Sequence, residues 1–278
     1  MKNLLFFELY KIFRKWRSYI GFFAITALVL IIEFSIYYEG NKYPGYLTRN
    51  LSDSFYFTGN LLNGYLISYY VMMLLVIHIP FLLTLVAGDL LAGEATMGTY
   101  RMLVSRPVSR FRIVTVKFLT GQIYSLLMLL WLAFLCLGLG TALFGTGELI
   151  VMQDIITVFA ANDVLWRFLP AYLLAVLSMG VVVSLAFLFS SLVENAIGPI
   201  IATMAVLIVF NILSVIEIDF FAALKPYLFT SYAQDWKLFF NAELDTAGIF
   251  KSAAVMLFHI VLFYSVTLFV FTKKDILS

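Results

Sequence analysis

The chain has 278 residues, of which 63% are hydrophobic and 12% charged, with 18 basic and 16 acidic side chains and a net charge of +2. Soluble domains carry about twice that share of charge, and a mean hydropathy of +1.00 leaves too few polar groups to cover a water-facing surface. The composition excludes a soluble globular domain, a disordered chain and a coiled coil, and one cysteine excludes a disulfide scaffold.

What remains is an all-α integral membrane protein. A helix needs roughly 20 mainly apolar residues to cross the hydrocarbon. Six stretches meet that length, at about 19–38, 65–91, 114–143, 168–192, 196–218 and 249–271, and they form one membrane domain over 1–278. None shows the alternation of a membrane barrel. Ahead of the first span, over 2–18, Leu5, Leu9, Ile12 and Trp16 recur at helical spacing. Lys11, Arg14, Lys15 and Ser18 fall on other faces, and Glu8 is spaced to pair with Lys11 or Lys15. Such a basic amphipathic helix is expected in the membrane interface. The first span reads as a retained anchor, because its apolar stretch is too long for a signal peptide, Glu33 sits near its far end and no small-residue cleavage pattern follows.

The second span holds His78, two residues before Pro80, whose missing N–H frees a carbonyl and kinks the helix. An ionisable group at membrane depth is costly unless paired or hydrated. His78 therefore either lines a polar path or is a neutral imidazole donating to a backbone carbonyl across a helix interface, and the second reading is the simpler. It is simpler still for His259 in the sixth span. Asn211 in the fifth span is a further path candidate, with helix–helix hydrogen bonding as the alternative. In the fourth, Ala171/Ala175 and Gly180/Ser184 are small-residue pairs that read as packing. No metal centre is expected, since two histidines on separate spans and Cys136 on a third give no ligand spacing. No catalytic residues are expected either, since these groups show no nucleophile–base spacing.

The connection after the second span is richer. Glu94 precedes Gly98-Thr99, where a glycine ends the long helix and a threonine caps a new one. Tyr100, Leu103 and Val104 give that short helix an apolar edge, and Pro107 ends it. Ser109 then caps the third span, whose first turn carries Arg110 and Arg112. Arg101 and Arg106 ride on the short helix, which suits docking to a soluble partner; the plainer alternative is a capped loop. Asp89 and Glu94 are expected at water level, with Asp89 placed to pair with Arg101. In the last external connection, Tyr227, Tyr232, Trp236 and Phe240 suit a helix half-sunk in the interface. Twelve Lys and Arg residues fall in the N-terminal segment, the second-to-third connection and the C-terminal tail, against six on the opposite side. Both termini are therefore expected in the cytoplasm.

The order Glu94-x-x-x-Gly98-Thr99-x-x-x-Leu103-x-x-x-Pro107-Val108-Ser109-Arg110 resembles the signature of ABC transporter type-2 permeases, the membrane subunits of ABC exporters. Within that family it is most similar to the multicopper-enzyme-maturation permease branch. Six spans, the N-terminal helix, the tight connection Ser190-Ser-Leu-Val-Glu-Asn195 and the tail Phe271-Thr-Lys-Lys-Asp275 agree, whereas Ala95-Thr-Met97 carries less charge than the family's usual sequence. The resemblance implies a type-2 ABC exporter permease fold, with an elbow helix over 2–18 and a cytoplasmic coupling helix inserted into an ATPase. Glu94, Gly98, Thr99, Tyr100, Leu103 and Pro107 would couple, with Arg101 and Arg106 on the same helix. It implies two ATPase subunits, a second permease subunit, identical or similar, the lipid bilayer and no nucleic acid as partners. It places the route between spans two and five, which makes His78 and Asn211 pathway candidates, and it sets the chain in a bacterial inner (plasma) membrane. No cofactor is expected on this chain. ATP and Mg would sit on the partner, in keeping with a sequence that has no GxxxxGK[ST] loop. The rival readings are a membrane-embedded lipid-modifying enzyme and a non-transporting scaffold that recruits a cytoplasmic partner. An ion-coupled transporter is a remoter rival, as inverted repeats and broken midplane helices are not evident in the sequence.

Overall fold

The computed structural model describes residues 1–39, 62–99, 108–153, 155–216, 218 and 223–274. Helix α1 (Lys2–Phe13) ends short of the expected 18 and turns into α2 (Arg17–Glu39). The Ser18 hydroxyl causes the turn's closure by donating to the Ile12 carbonyl at 2.7 Å, which satisfies one of the orphan groups of a helix end. The expected apolar face is only partly the buried one. Glu8 and Ile12 are buried, while Phe6, Phe7, Tyr10 and Trp16 point outward.

The expected second span is three helices: α3 (Gly64–Leu75), α4 (Ile79–Ala87) and α5 (Asp89–Thr96). Pro80 in the first turn of α4 accounts for the first break, as the sequence implies. The second falls at Gly88. There the Ser190 hydroxyl donates to the Gly88 carbonyl at 2.6 Å and accepts from the amides of Leu91 and Ala92 at 3.1 and 2.8 Å. A side chain from the fourth span thus completes the backbone bonding of the second. The break at Pro80 was legible in the sequence, and the one at Gly88 was not.

Ser109 caps α6 (Arg110–Ala133) by accepting from the Arg112 amide, as expected. A π segment (Phe134–Leu139) and α7 (Gly140–Phe144) continue the same span. Asn63 caps α3 and reaches across to donate to the Glu148 carbonyl at 2.7 Å. Beside it α3 and α7 touch backbone to backbone, since a methyl on Gly64 would lie 2.6 Å from the Gly140 oxygen. An antiparallel hairpin follows, β1 (Leu149–Met152) and β2 (Ile156–Phe159), with Leu149 opposite Phe159. The all-α expectation missed it.

Helix α8 (Ala161–Leu192) starts well before the expected 168 and is the central span, packed against α4, α6, α9 and α10. Its Gly180/Ser184 pair admits the Gln122 amide, which donates to the Gly180 carbonyl and the Ser184 hydroxyl, both at 3.1 Å. Helices α9 (Ile197–Val215) and α10 (Thr246–Lys273) complete the bundle. Between them stand three short 3₁₀ turns, Lys225–Tyr227, Phe229–Tyr232 and Asp235–Phe240, where a single interfacial helix was expected. Trp236 and Phe240 are buried edge-on against Tyr69, and Phe240 also meets Phe168, so these rings close one end of the bundle instead of floating in lipid. Arg167 locks them down. It pairs with Asp163 at 2.9 Å, donates to the carbonyls of Phe239 and Asn241, and lies 4.3 Å over the Phe159 ring. The structure is mostly helical, with six helical stretches among the described residues long and apolar enough to cross a membrane, α4 and α5 counting together as one, and the chain is an integral membrane protein.

Candidate functional site

At the end of the bundle that carries α1, three helices meet around charged groups. Helix α5 supplies Asp89 and Glu94, α6 supplies Lys117, and α1 with its following turn supplies Glu8, Lys11 and Lys15. Lys117 is 2% exposed and donates to Glu8 at 2.8 Å and to Glu94 at 2.9 Å. Lys11 also pairs with Glu94, which is 3% exposed. Lys15 reaches Asp89 at 2.6 Å, with Arg17 at 3.4 Å from its other oxygen. A cavity of about 20 Å³ lies among Glu8, Lys11, Asp89, Glu94 and Lys117, room for a single water.

The expected pairing of Asp89 with Arg101 lies outside the described residues. Glu8 pairs across to α6 and not with Lys11 or Lys15 on its own helix. Asp89 and Glu94 are drawn under α1 instead of standing in water. The aromatic side of α1 (Phe6, Phe7, Tyr10) faces outward, and Glu8 on its other side is buried against Lys117.

Helix α5 ends in a Schellman turn. The Thr99 amide bonds to the Glu94 carbonyl at 3.0 Å and the Gly98 amide to the Ala95 carbonyl at 2.9 Å, with Gly98 at φ +65°. Gly98 therefore ends the helix, as the sequence implies. Thr99 works backwards as well, its hydroxyl donating to the Glu94 carbonyl and carboxylate. Thr96 fastens the same end to the connection between α8 and α9 by donating to the Glu194 carbonyl at 2.9 Å. At the foot of α6, Arg110 donates to the carbonyls of Thr272 and Lys274, both at 2.9 Å, at the C-terminal end of α10. A cation there meets both the orphan carbonyls and the negative end of the helix dipole.

Of the residues expected to couple, Glu94, Gly98 and Thr99 come together here, while Tyr100, Arg101, Leu103, Arg106 and Pro107 lie outside the described residues. The pathway candidates do not join them. His78 is exposed at the α3–α4 break with its Nδ1 2.7 Å from the Leu74 carbonyl one turn back, not from a second helix. His259 bonds in the same way to the Val255 carbonyl at 2.8 Å. Asn211 is exposed and donates to the Leu207 carbonyl of its own helix at 2.8 Å, so it links no second helix among the described residues. Sequence reasoning missed Lys117 and Glu8. A lysine flanked by Val116 and Phe118 inside an apolar helix was the available signal.

The arrangement is a joint. Among the described residues three carboxylates face three ammonium groups, which fixes α1 to α5 and α6.

A 63-residue stretch is 40% identical to the uncharacterized protein YhcI of Bacillus subtilis (strain 168), covering 23% of this chain and about a fifth of that relative's length. The model of a protein family of unknown function, DUF2705, matches residues 22–277, nearly the whole chain. That finding overturns the resemblance to ABC transporter type-2 permeases, the multicopper-enzyme-maturation branch included. The physical reason is visible in the motif itself: Gly98 and Thr99 build a helix terminus and Glu94 a buried ion pair, needs that any helix anchored this way would share. The chain belongs to the DUF2705 family of proteins of unknown function.

Proposed function

We propose that the chain is the transmembrane permease subunit of an ATP-driven exporter, coupling ATP hydrolysis on separate ATPase subunits to movement of a substrate across the membrane. The observation that carries this reading is the junction at Glu94. A helix closed by a Schellman turn leads directly into 100–107, and one buried carboxylate ties that helix to both α1 and α6. A push on 100–107 from a soluble partner would pass through the closed turn into α5, and from there into α1 and α6. A loop serving only to hold arginines on one side of the membrane would need no such fastening.

In this reading α1 is the elbow helix and 100–107 the coupling helix of an exporter permease. Two ATPase subunits and a second permease complete the assembly, with ATP and Mg bound on the ATPases. The asymmetry of Lys and Arg supports an arrangement with both termini in the cytoplasm, and the membrane proposed is the bacterial inner membrane. The test is affinity purification from native membranes in mild detergent, with mass spectrometry and an ATPase assay of what co-purifies. Wild type should bring down an ATPase in stoichiometric amount, and a Leu103→Asp, Pro107→Gly variant should insert normally yet lose it. A correctly inserted wild-type chain that never brings one down would refute the proposal and favour the scaffold or lipid-enzyme reading.

A further inference from the structure

Glu33 lies six residues before the end of α2, within the hydrocarbon span, and its side chain is fully buried. Among the described residues neither of its carboxyl oxygens has a hydrogen-bond partner, and no Lys, Arg or His pairs with it. A bare carboxylate at membrane depth is costly unless paired or hydrated.

The surroundings select what Glu33 can hold. Gly140 makes the room: a methyl there would stand 3.3 Å from Glu33 Oε1 and 3.4 Å from Ser68 Oγ, so both groups border the space that the missing side chain leaves. The Ser68 hydroxyl has committed its hydrogen to the carbonyls of Gly64 and Cys136, at 2.6 and 2.7 Å, and can only accept there. The Cys136 carbonyl is reachable because it lies in the π segment, where the widened turn departs from the regular ladder. The titratable groups that face this pocket are the Cys136 thiol on the π segment and the Tyr172 hydroxyl on α8, whose oxygen is buried with no partner of good geometry among the described residues. Neither is cationic. Helices α3 and α7 contribute Ser68 and the Gly140 backbone and no charge among the described residues. Among the described residues no cation and no hydrogen-bond donor reaches either Glu33 oxygen, so the neutral acid suits this enclosed space better than a carboxylate.

We propose that Glu33 is a proton-binding site inside the membrane, held as the carboxylic acid in this closed arrangement. The proton leaves, by breaking of the O–H bond to an entering water, only when α2, α3 and the π segment separate enough to hydrate the carboxylate left behind. This site is independent of the junction at Glu94 and of any ATPase.

The experiment uses the full chain in lipid nanodiscs at neutral pH. Infrared spectra should show the carbonyl stretch of a protonated carboxyl, shifted in D₂O and absent in Glu33→Gln, whose neutral amide keeps the shape of the side chain. Dicyclohexylcarbodiimide, an apolar reagent that adds to protonated carboxyls, should label the peptide containing Glu33 in wild type alone. A band that is missing in wild type, or that survives in a folded Glu33→Gln, overturns the proposal. So does a band abolished by added sodium or potassium, which would make the occupant a metal ion. Should Glu33→Gln fail to fold, the labelling of wild type decides, and no adduct at Glu33 overturns the proposal by itself.

Discussion

Replacing Lys117 with methionine keeps the length of the buried stem and removes its charge. Two carboxylates then lose a partner at once, Glu8 at 2.8 Å and Glu94 at 2.9 Å. Glu94 retains Lys11 and the Thr99 hydroxyl, but Glu8 retains no ion pair or side-chain hydrogen bond among the described residues. Removing one member of a buried pair costs about 3–5 kcal/mol, because the charge left behind is uncompensated. With Lys117 and both carboxylates almost wholly covered, and room beside them for one water at most, hydration cannot replace the ammonium, and Lys117→Met should fall within that range. Glu8→Gln alone, which leaves an acceptor for Lys117, should cost about 1–3 kcal/mol. The double variant should lose less than the sum by at least about 1 kcal/mol, since the second change removes the charge that the first one orphaned. Reversible unfolding in mixed micelles, followed by tryptophan fluorescence, measures all three. A loss below about 1 kcal/mol for Lys117→Met, the size expected of a solvated surface pair, or strictly additive effects would refute the reasoning.

Gly98→Ala should cost about 1–2 kcal/mol from the positive φ alone, since an added methyl would meet nothing within 4 Å; the same unfolding assay checks it, and Gly98→Asn should cost less. Ser190→Ala strips the Leu91 and Ala92 amides of their acceptor. It should cost about 1–3 kcal/mol and speed hydrogen exchange at those two amides, while unchanged exchange would mean that α5 closes without it. Burial raises the Asp235 carboxyl above its usual range, although the Ser252 hydroxyl donates to it and opposes the rise. The fold therefore prefers the protonated form, and stability at the 3₁₀ turns is greatest below the ordinary aspartate range and declines as pH climbs through the raised value. Asp235→Asn should flatten that decline in a pH series of thermal unfolding.

Local signals in the sequence were read well. The six spans follow from runs of apolar residues, the end of α5 from Gly98, the start of α6 from Ser109 and the first break of the second span from Pro80. Each depends on residues within a turn or two of one another. The joint is of another kind: its ion pairs join residues 109, 83 and 74 positions apart, and no spacing rule reaches that far. Reading Glu8 against its own helix was the natural consequence. Gly88 shows the same limit, for its break is completed by a serine 102 residues away. The hairpin and the 3₁₀ turns escaped because their aromatic and apolar residues serve equally well on a membrane interface and in a small packed cap, and only the tertiary contacts of Arg167 and Trp236 choose between them. The short motif around Glu94 misled on family for a related reason, since capping chemistry recurs wherever a helix must stop.

The π segment also bears on how relatives of different length should be aligned. An i→i+5 turn is the trace of one extra residue accommodated within an α-helix, and here it falls between Phe134 and Leu139. A homologue shorter by a single residue in this window would regain an uninterrupted α-helix while keeping α7 and the hairpin in place. A one-residue deletion there is therefore a conservative change of helix geometry, whereas the same deletion two turns earlier in α6 would rotate everything beyond it by about 100°.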